Sequence, residues 1–243
     1  MRIPTIRGLI DRRVLVNFRV DAELLSKLCP APFRPQMIGG SGMAGICLIR
    51  LKHIRPKFLP PSLGISSENA AHRIAVEWDS TNGVQSGVYV IRRDSSSILN
   101  SLAGGLIFPG IHHRARFQAR ETEHEYHIAM DSIDGSAHVS VDGRVTDNLP
   151  VNSIFPTLAK CSQFFEEGAV GYSPAKSSGT FDALELRAFH WNVQPLHVSK
   201  VRSSFFDNST VFPKGSVTFD NALLMRGIEH EWHSRESICC PGG

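Results

Sequence analysis

Two adjacent arginines, Arg92 and Arg93, stand where the apolar run "GVYVIRR" meets "DSSSIL". A guanidinium stays charged at any usable pH and presents a planar fork of donors that fits a carboxylate or a phosphate. Strand alternation sends the two to opposite faces, so one of them is expected to reach the interior. A helix opening at Ser95 or Ser96, with Ile98, Leu99 and Leu102 as its stripe and Gly104-Gly105 as its stop, would bring unpaired N–H groups and a partial positive charge to the same corner. On that reading the corner binds an anion. On the competing reading Asp94 caps the helix and pairs with Arg92, its i, i+2 neighbour, and local geometry leans that way.

Other residues capable of chemistry lie in short clusters. In "SSENAAHRIAVEW" (66–78), Glu68, His72 and Arg73 precede an apolar strand, with Ser66 or Ser67 placed to cap a helical turn that Glu68 begins. They read either as a carboxylate and a cation on a cavity rim or as a Glu–Arg pair fixing a loop. In "FPGIHHRARF" (108–117) alternation splits His112 from His113, so one can enter a cavity; a satisfied structural histidine is the leading role for either, with proton transfer open. "GIEHEWH" (227–233) is not H-E-x-x-H, and one strand offers at most two ligands from it, so no metal is expected. "GSGMAG" (40–45) matches G-x-G-x-x-G, but the strand-like "ICLIRLKHI" follows where a helix is needed. A Gly-rich hairpin turn is expected there, and no cofactor. No G-x-S-x-G element and no cysteine beside a readable histidine partner support Ser- or Cys-type hydrolysis.

These residues must be held by strands. Period-2 runs recur at 14–20, 44–54, 73–78, 87–91, 113–120, 125–130, 137–146, 184–198, 201–206 and 216–219, bounded by Gly, Pro, Asp and Asn. Their spacing predicts an antiparallel or mixed barrel or sandwich. Three helices interrupt them. One is capped by Asp21 with Leu24, Leu25 and Leu28 as its stripe, one is the segment after Arg93, and one opens at Ser153 and buries Leu158, Cys161 and Phe164-Phe165 before Gly168. No repeat or linker divides the chain, and "SPAKSSG" (173–179) is only a loop. A single domain over residues 1–243 is expected, with its core at about 10–233 and a disordered tail at 234–243.

At 42% hydrophobic and 20% charged, the 243 residues have a globular balance. A net charge of +3, with Arg12-Arg13 and Arg92-Arg93 the only adjacent basic pairs, leaves no footprint for nucleic acid or an anionic membrane. No apolar run is long enough to span a bilayer, and the start lacks an apolar signal core. Five cysteines without a C-x-x-C pair suggest a reducing, cytoplasmic setting.

Several of these segments resemble a known family: "VNFRVDAELLSKLCPAPFRP", "AGICLIRLKHIRP", "SSENAAHRIAVEW", "GVYVIRRDSS", "FPGIHHRARF" and "FDNALLMRGIEHEW" look like DUF2071, in order, over residues 10 to 233. That family is more remotely similar to acetoacetate decarboxylase. The resemblance implies a mainly β, acetoacetate-decarboxylase-like fold: a cone-shaped, mostly antiparallel β-barrel with a few peripheral helices and an internal cavity. In the decarboxylase a Lys-Lys pair at a strand end supplies a Schiff-base lysine, and a glutamate from a neighbouring strand lines the cavity. "GVYVIRR" looks like the counterpart of that strand and Glu68 like that of the glutamate, within a residue or two. Both lysines would then be Arg92 and Arg93, and a guanidinium is a poor nucleophile toward a carbonyl, so imine-based decarboxylation is not expected. The expectation is a cavity that binds a small organic acid or carbonyl compound through Arg92 and Glu68, with His72, Arg73, Arg93 and His112 as further ligand-binding candidates. Its partner would be that small molecule, with no nucleic acid or membrane, and a homo-oligomer is open. The alternatives are an enzyme acting on a keto or hydroxy acid, with Glu68 or His112 as acid/base, and a structural or interaction protein with an Arg–Glu network only.

Overall fold

The computed structural model describes residues 4–97, 108–175 and 177–239. Its strands join one sheet: β1 (Ile6–Val20), β2 (Arg34–Pro35), β3 (Met37–Ile38), β4 (Ser41–Pro56), β5 (Ile65–Ser80), β6 (Gly83–Ser95), β7 (His112–Glu121), β8 (Glu125–Ser132), β9 (His138–Val145), β10 (Val170–Pro174), β11 (Thr180–Ala188), β12 (Gln194–Ser203) and β13 (Val217–Cys239). Among the described residues the α-helices are α1 (Ala22–Leu28) and α2 (Leu158–Glu167). Pairing is antiparallel except that β6 runs parallel to both β7 and β10. The mainly β class and the ring-like architecture match the sequence reading. Among the described residues no helix is long and apolar enough to cross a membrane.

The pairing closes on itself twice. One ring runs β13, β1, β4, β5, β6, β10, β11 and back to β13. The other leaves β6 through β7, β8, β9 and β12 and also returns to β13. The five strands β13, β1, β4, β5 and β6 are therefore a wall common to both rings. A wall with a core on each side has no polar face, so β4 loses its alternation and is buried at every residue from 42 to 49.

On the side of the second ring, Val14, Val16, Ile46 and Leu48 pack against Ile128, Met130, Val139 and Val141. Phe206, from the β12–β13 connection, packs onto Phe18 with ring centres 4.5 Å apart. On the side of the first ring, Leu15, Cys47, Ile49 and Met225 meet Cys161 and Phe165 of α2. The indole N–H of Trp191, in the β11–β12 connection, donates to Ser162 on α2 at 2.9 Å and ties that connection to the helix.

Local signals hold where they are strong. Asp21 caps α1 by accepting from the N–H groups of Glu23 and Leu24. The glycines at 39 and 40 adopt positive φ in the β3–β4 turn, so "GSGMAG" is a hairpin with a strand after it. Four expectations need correction. Ser66 and Ser67 cap no helical turn, because β5 runs straight through them with Glu68 paired to Arg50 on β4. The helix after Arg93 does not begin at Ser95, which is still in β6 and paired with both Asn69 and Arg114; Ile98, Leu99, Leu102 and Gly104-Gly105 lie outside the described residues. The third helix is capped by Thr157, whose side chain accepts from the Lys160 N–H, while Ser153 donates to Asp220 at 2.8 Å. Lastly, residues 234–239 are not a disordered tail: they extend β13 and pair with β11 from Ser234↔Leu184 to Cys239↔Thr180.

That last pairing makes up about half of the β11–β13 seam that closes the first ring, a seam that begins at Ala188↔His230. Deleting residues 234–243 is expected to lower the melting temperature by at least about 5 °C, since each kcal/mol lost from a chain of this size moves it by about 2–4 °C. An unchanged melting temperature in thermal denaturation would show that the strand end is dispensable.

Candidate functional site

The two adjacent arginine pairs of the sequence sit on the common wall, Arg12-Arg13 on β1 and Arg92-Arg93 on β6. Each pair is split across it. Arg12 and Arg92 go to the side of the second ring, and carboxylates meet both. Arg12 is 2.5 Å from Glu68 and 2.5 Å from Glu121, and Arg50 reaches the same two acids at 2.6 Å each. Arg92 lays its fork on Asp94, with Nε and Nη2 donating at 2.8 Å each, and Asp94 is fully buried. The i, i+2 pairing weighed from the sequence is thus present, on a strand rather than at a helix cap.

Arg13 and Arg93 go to the side of the first ring, together with Arg73 of β5. There they border a cavity of about 130 Å³, room for several waters or a small organic molecule. Its walls come from β4, β5, β6, β10 and β11, with Phe165 of α2, Trp191, Trp232, Phe108 and His112. None of these three arginines has an ion pair with a carboxylate among the described residues. Arg93 donates from Nη2 to the Ser173 hydroxyl at 3.2 Å, and its Nε is buried without a partner. Arg73 donates from Nη2 to Asn17 at 2.7 Å, lies 5.0 Å over the Phe165 ring, and also has an unpartnered Nε. Among the described residues Arg13 has only the sulfur atoms of Cys47 and Met225, at 3.4 and 3.9 Å, and the Trp191 ring at 5.8 Å. Burial pulls the pKa of both Arg73 and Arg93 down to about 10, which still leaves them charged at neutral pH.

A bulge decides which arginine of the β6 pair enters. His72 lies opposite Arg92 and Arg73 opposite Val90, so Ile91 is an extra residue in β6. An inserted residue reverses the alternation beyond it. Val88 and Val90 face the cavity, and beyond the bulge Arg93 does, not Arg92.

His112 enters beside Arg93, its register partner in the parallel β6–β7 pair. Its Nε2 is 3.1 Å from the Phe108 carbonyl, which assigns the proton to that nitrogen and leaves the buried, unpartnered Nδ1 as an acceptor. Burial, and then the Arg93 charge, lower its pKa to about 4. His113 points the other way, to Asp134 at 3.1 Å. Gly110 fills a role that the sequence did not single out. At φ +100° it packs where a Cβ would stand 2.9 Å from the Ser173 Cβ and 3.6 Å from the Arg93 Nε, so only glycine lets this turn close on the Arg93–Ser173 contact.

Of the residues singled out in the sequence, the structure brings Arg73, Arg93 and His112 to one cavity. Arg92 and Glu68 are elsewhere: Arg92 is held by Asp94, and Glu68 is shared between Arg12 and Arg50 across the wall. His72 is on that side too, buried against Phe205 and Phe206 at 5.4 and 6.3 Å. Arg13 and Ser173 were not anticipated. Arg13 shares the signal of its neighbour pair, whereas nothing marks Ser173. No group of three His, Cys, Asp or Glu side chains among the described residues could hold a metal ion. The cavity is a largely apolar pocket bordered by three arginines, of which Arg73 and Arg93 are desolvated, by one neutral histidine acceptor, by Asp94, which Arg92 holds, and, among its described lining residues, by no lysine.

The sequence pattern of the DUF2071 family, described as an uncharacterized conserved protein, matches residues 10–222. No curated protein matches the chain. Among solved structures it is similar to acetoacetate decarboxylase from Legionella pneumophila subsp. pneumophila str. Philadelphia 1, at TM-score 0.59 and 10% identity, covering 97% of this chain and 88% of that one. An acetoacetate decarboxylase-like enzyme from Sphingomonas wittichii RW1 is similar at TM-score 0.59 and 10% identity, covering 97% and 94%. The enduracididine biosynthesis enzyme MppR, in complex with pyruvate, is similar at TM-score 0.58 and 10% identity, covering 98% and 91%. At these identities the likeness is one of fold.

Two outcomes follow from the electrostatics. Glu68→Gln leaves Arg12, which is almost fully buried, short of one of its two carboxylates, and is expected to destabilise the chain by about 3 kcal/mol in urea denaturation; a loss under about 0.5 kcal/mol would contradict the network's role. His72, His112 and His230 each have a pKa lowered to about 4, chiefly by burial, from 6.5. Depressed folded-state values mean stability that is present above pH 6.5 and lost as pH falls toward 4. Each histidine contributes at most about 1.4 kcal/mol per pH unit in that window, and His72→Phe should remove about a third of their combined slope. Denaturation curves at several pH values check this, and an unaltered slope in the variant would contradict it.

Proposed function

Since the chain belongs to the DUF2071 family and has an acetoacetate-decarboxylase-like fold, we propose that its first-ring cavity binds a small organic acid, gripping the acid through guanidinium groups. The observation that carries this reading is the set of three arginines bordering the cavity, Arg73 buried and Arg13 and Arg93 half-buried, none of them ion-paired to a carboxylate among the described residues. Desolvating a cation costs several kcal/mol, and an entering carboxylate with two acceptor oxygens would offset much of it. The anion-binding role first assigned to Arg92 and Glu68 passes to Arg93 and Arg73. That MppR has been captured with pyruvate supports a small acid as the ligand class on this fold. Chemistry through an imine is not part of the proposal, because a guanidinium supplies no neutral amine.

A second reading has its own observation. The unpartnered Nδ1 of His112 stands beside Arg93, so the same cavity could run acid/base chemistry on a keto or hydroxy acid, with the arginine holding the negative charge that develops. It predicts product formation from one such acid, lost in His112→Asn.

Thermal denaturation against a panel of small organic acids tests the first reading. A ligand at 100 times its dissociation constant adds about 2.7 kcal/mol, or about 5–10 °C for a chain of this size. Arg93→Met should abolish the shift while keeping or raising the melting temperature without ligand, because an apolar side chain replaces a desolvated charge that has no counter-ion. Arg92→Met should lower that temperature, by stranding Asp94, and keep the shift. A panel without any shift, or a full shift in Arg93→Met, would overturn the proposal.

A further inference from the structure

We infer that the cavity takes a dianion, a short acid with an anionic group at each end. This rests on the acid-binding reading above and narrows it. The three guanidiniums stand at two poles. At one pole Arg93 donates to Ser173, with Gly110 packed against both and His112 alongside. At the other, Arg73 and Arg13 lie against Phe165 and Trp191, and both also border a smaller cavity of about 30 Å³ whose lining does not include Arg93. Much of the remaining lining is apolar, including Ile49, Ala71, Val90 and Leu184.

The charges at the poles do not cancel within the protein. Asp94 borders the cavity, but both of its oxygens accept from Arg92. From Arg73 a chain of amides runs through Asn17 and Asn221 to Asp220, and that carboxylate is already taken by Arg19 at 3.1 Å and by Ser153. The undescribed stretches, residues 1–3, 98–107, 176 and 240–243, contain no Asp or Glu in their sequence. A monocarboxylate can neutralise one pole and leaves the other desolvated without a counter-ion. A ligand with two separated anionic groups meets both, and the apolar middle suits a spine of methylene or carbonyl carbons better than a polyol. The arrangement therefore discriminates by charge count and by the distance between charges, with the penalty for the wrong ligand set by the pole left unmatched.

Isothermal titration of the wild-type chain at constant ionic strength tests this directly. The probes are propionate, butyrate and valerate, the dicarboxylates of the same carbon count (malonate, succinate and glutarate), and inorganic phosphate, which places its charges on one centre. One dicarboxylate is expected to bind at least about tenfold tighter than its monocarboxylate counterpart and than phosphate. Arg93→Met and Arg73→Met should each reduce it to the monocarboxylate level. Equal affinities for the matched pairs would overturn the dianion and leave acid binding standing. Phosphate as the tightest ligand would overturn the two-pole arrangement. Silence from every probe would remove both this inference and the reading beneath it.

Discussion

A guanidinium carried into a protein interior loses its water, and the desolvation is recovered only where acceptors surround it. The common wall of this chain contains that problem twice over. Arg12 and Arg92 are met by acids: Glu68 and Glu121 for the first, Asp94 for the second. Their neighbours Arg13 and Arg93, one residue along and therefore on the other face, are met by sulfur, a hydroxyl and one aromatic ring. One side of the wall is electrically closed and packed. The other is open, and its open charges border the cavity.

This asymmetry is a matter of topology as much as of composition. Five long strands shared by two rings can present a full set of side chains to each interior, and adjacent residues then serve different purposes. The second ring, filled by Phe18, Phe206 and the aliphatic side chains of β8 and β9, holds the wall's shape. The first ring can then keep a void between the wall, the β10–β11 hairpin and α2. Charges left unpaired there are tolerated because the closed network across the wall and the continuous apolar strand β4 supply stability elsewhere.

Much of this frame was legible in the sequence. Alternation marked most of the strands, Asp21 announced its helix, and the strand after "GSGMAG" excluded a dinucleotide loop, because these are local effects read over a few residues. The resemblance of whole segments carried the fold class. The candidate residues were harder. Arg73, Arg93 and His112 were among them, but the weight fell on Arg92 and Glu68. Two long-range facts explain the difference. The bulge at Ile91 has no glycine or proline to announce it, and it exchanges the faces of the arginine pair. The partners of Glu68 are Arg12 and Arg50, 56 and 18 residues away in the chain, brought together only when β1, β4 and β5 pair. The end of β13 was missed for a similar reason, since its pairing partner β11 is fixed by ring closure and not by its own polar sequence.

If the uncompensated charges of Arg13, Arg73 and Arg93 draw an anion into the first ring, a simple halide should find them too. Crystals grown or soaked in bromide test it without presuming any metabolite, because bromide scatters anomalously and is located without ambiguity. Anomalous peaks are expected inside the cavity within hydrogen-bonding reach of Arg93 or Arg73, and none beside Arg92, whose charge Asp94 has already met. Peaks confined to the protein surface, with only water around the three arginines, would contradict it.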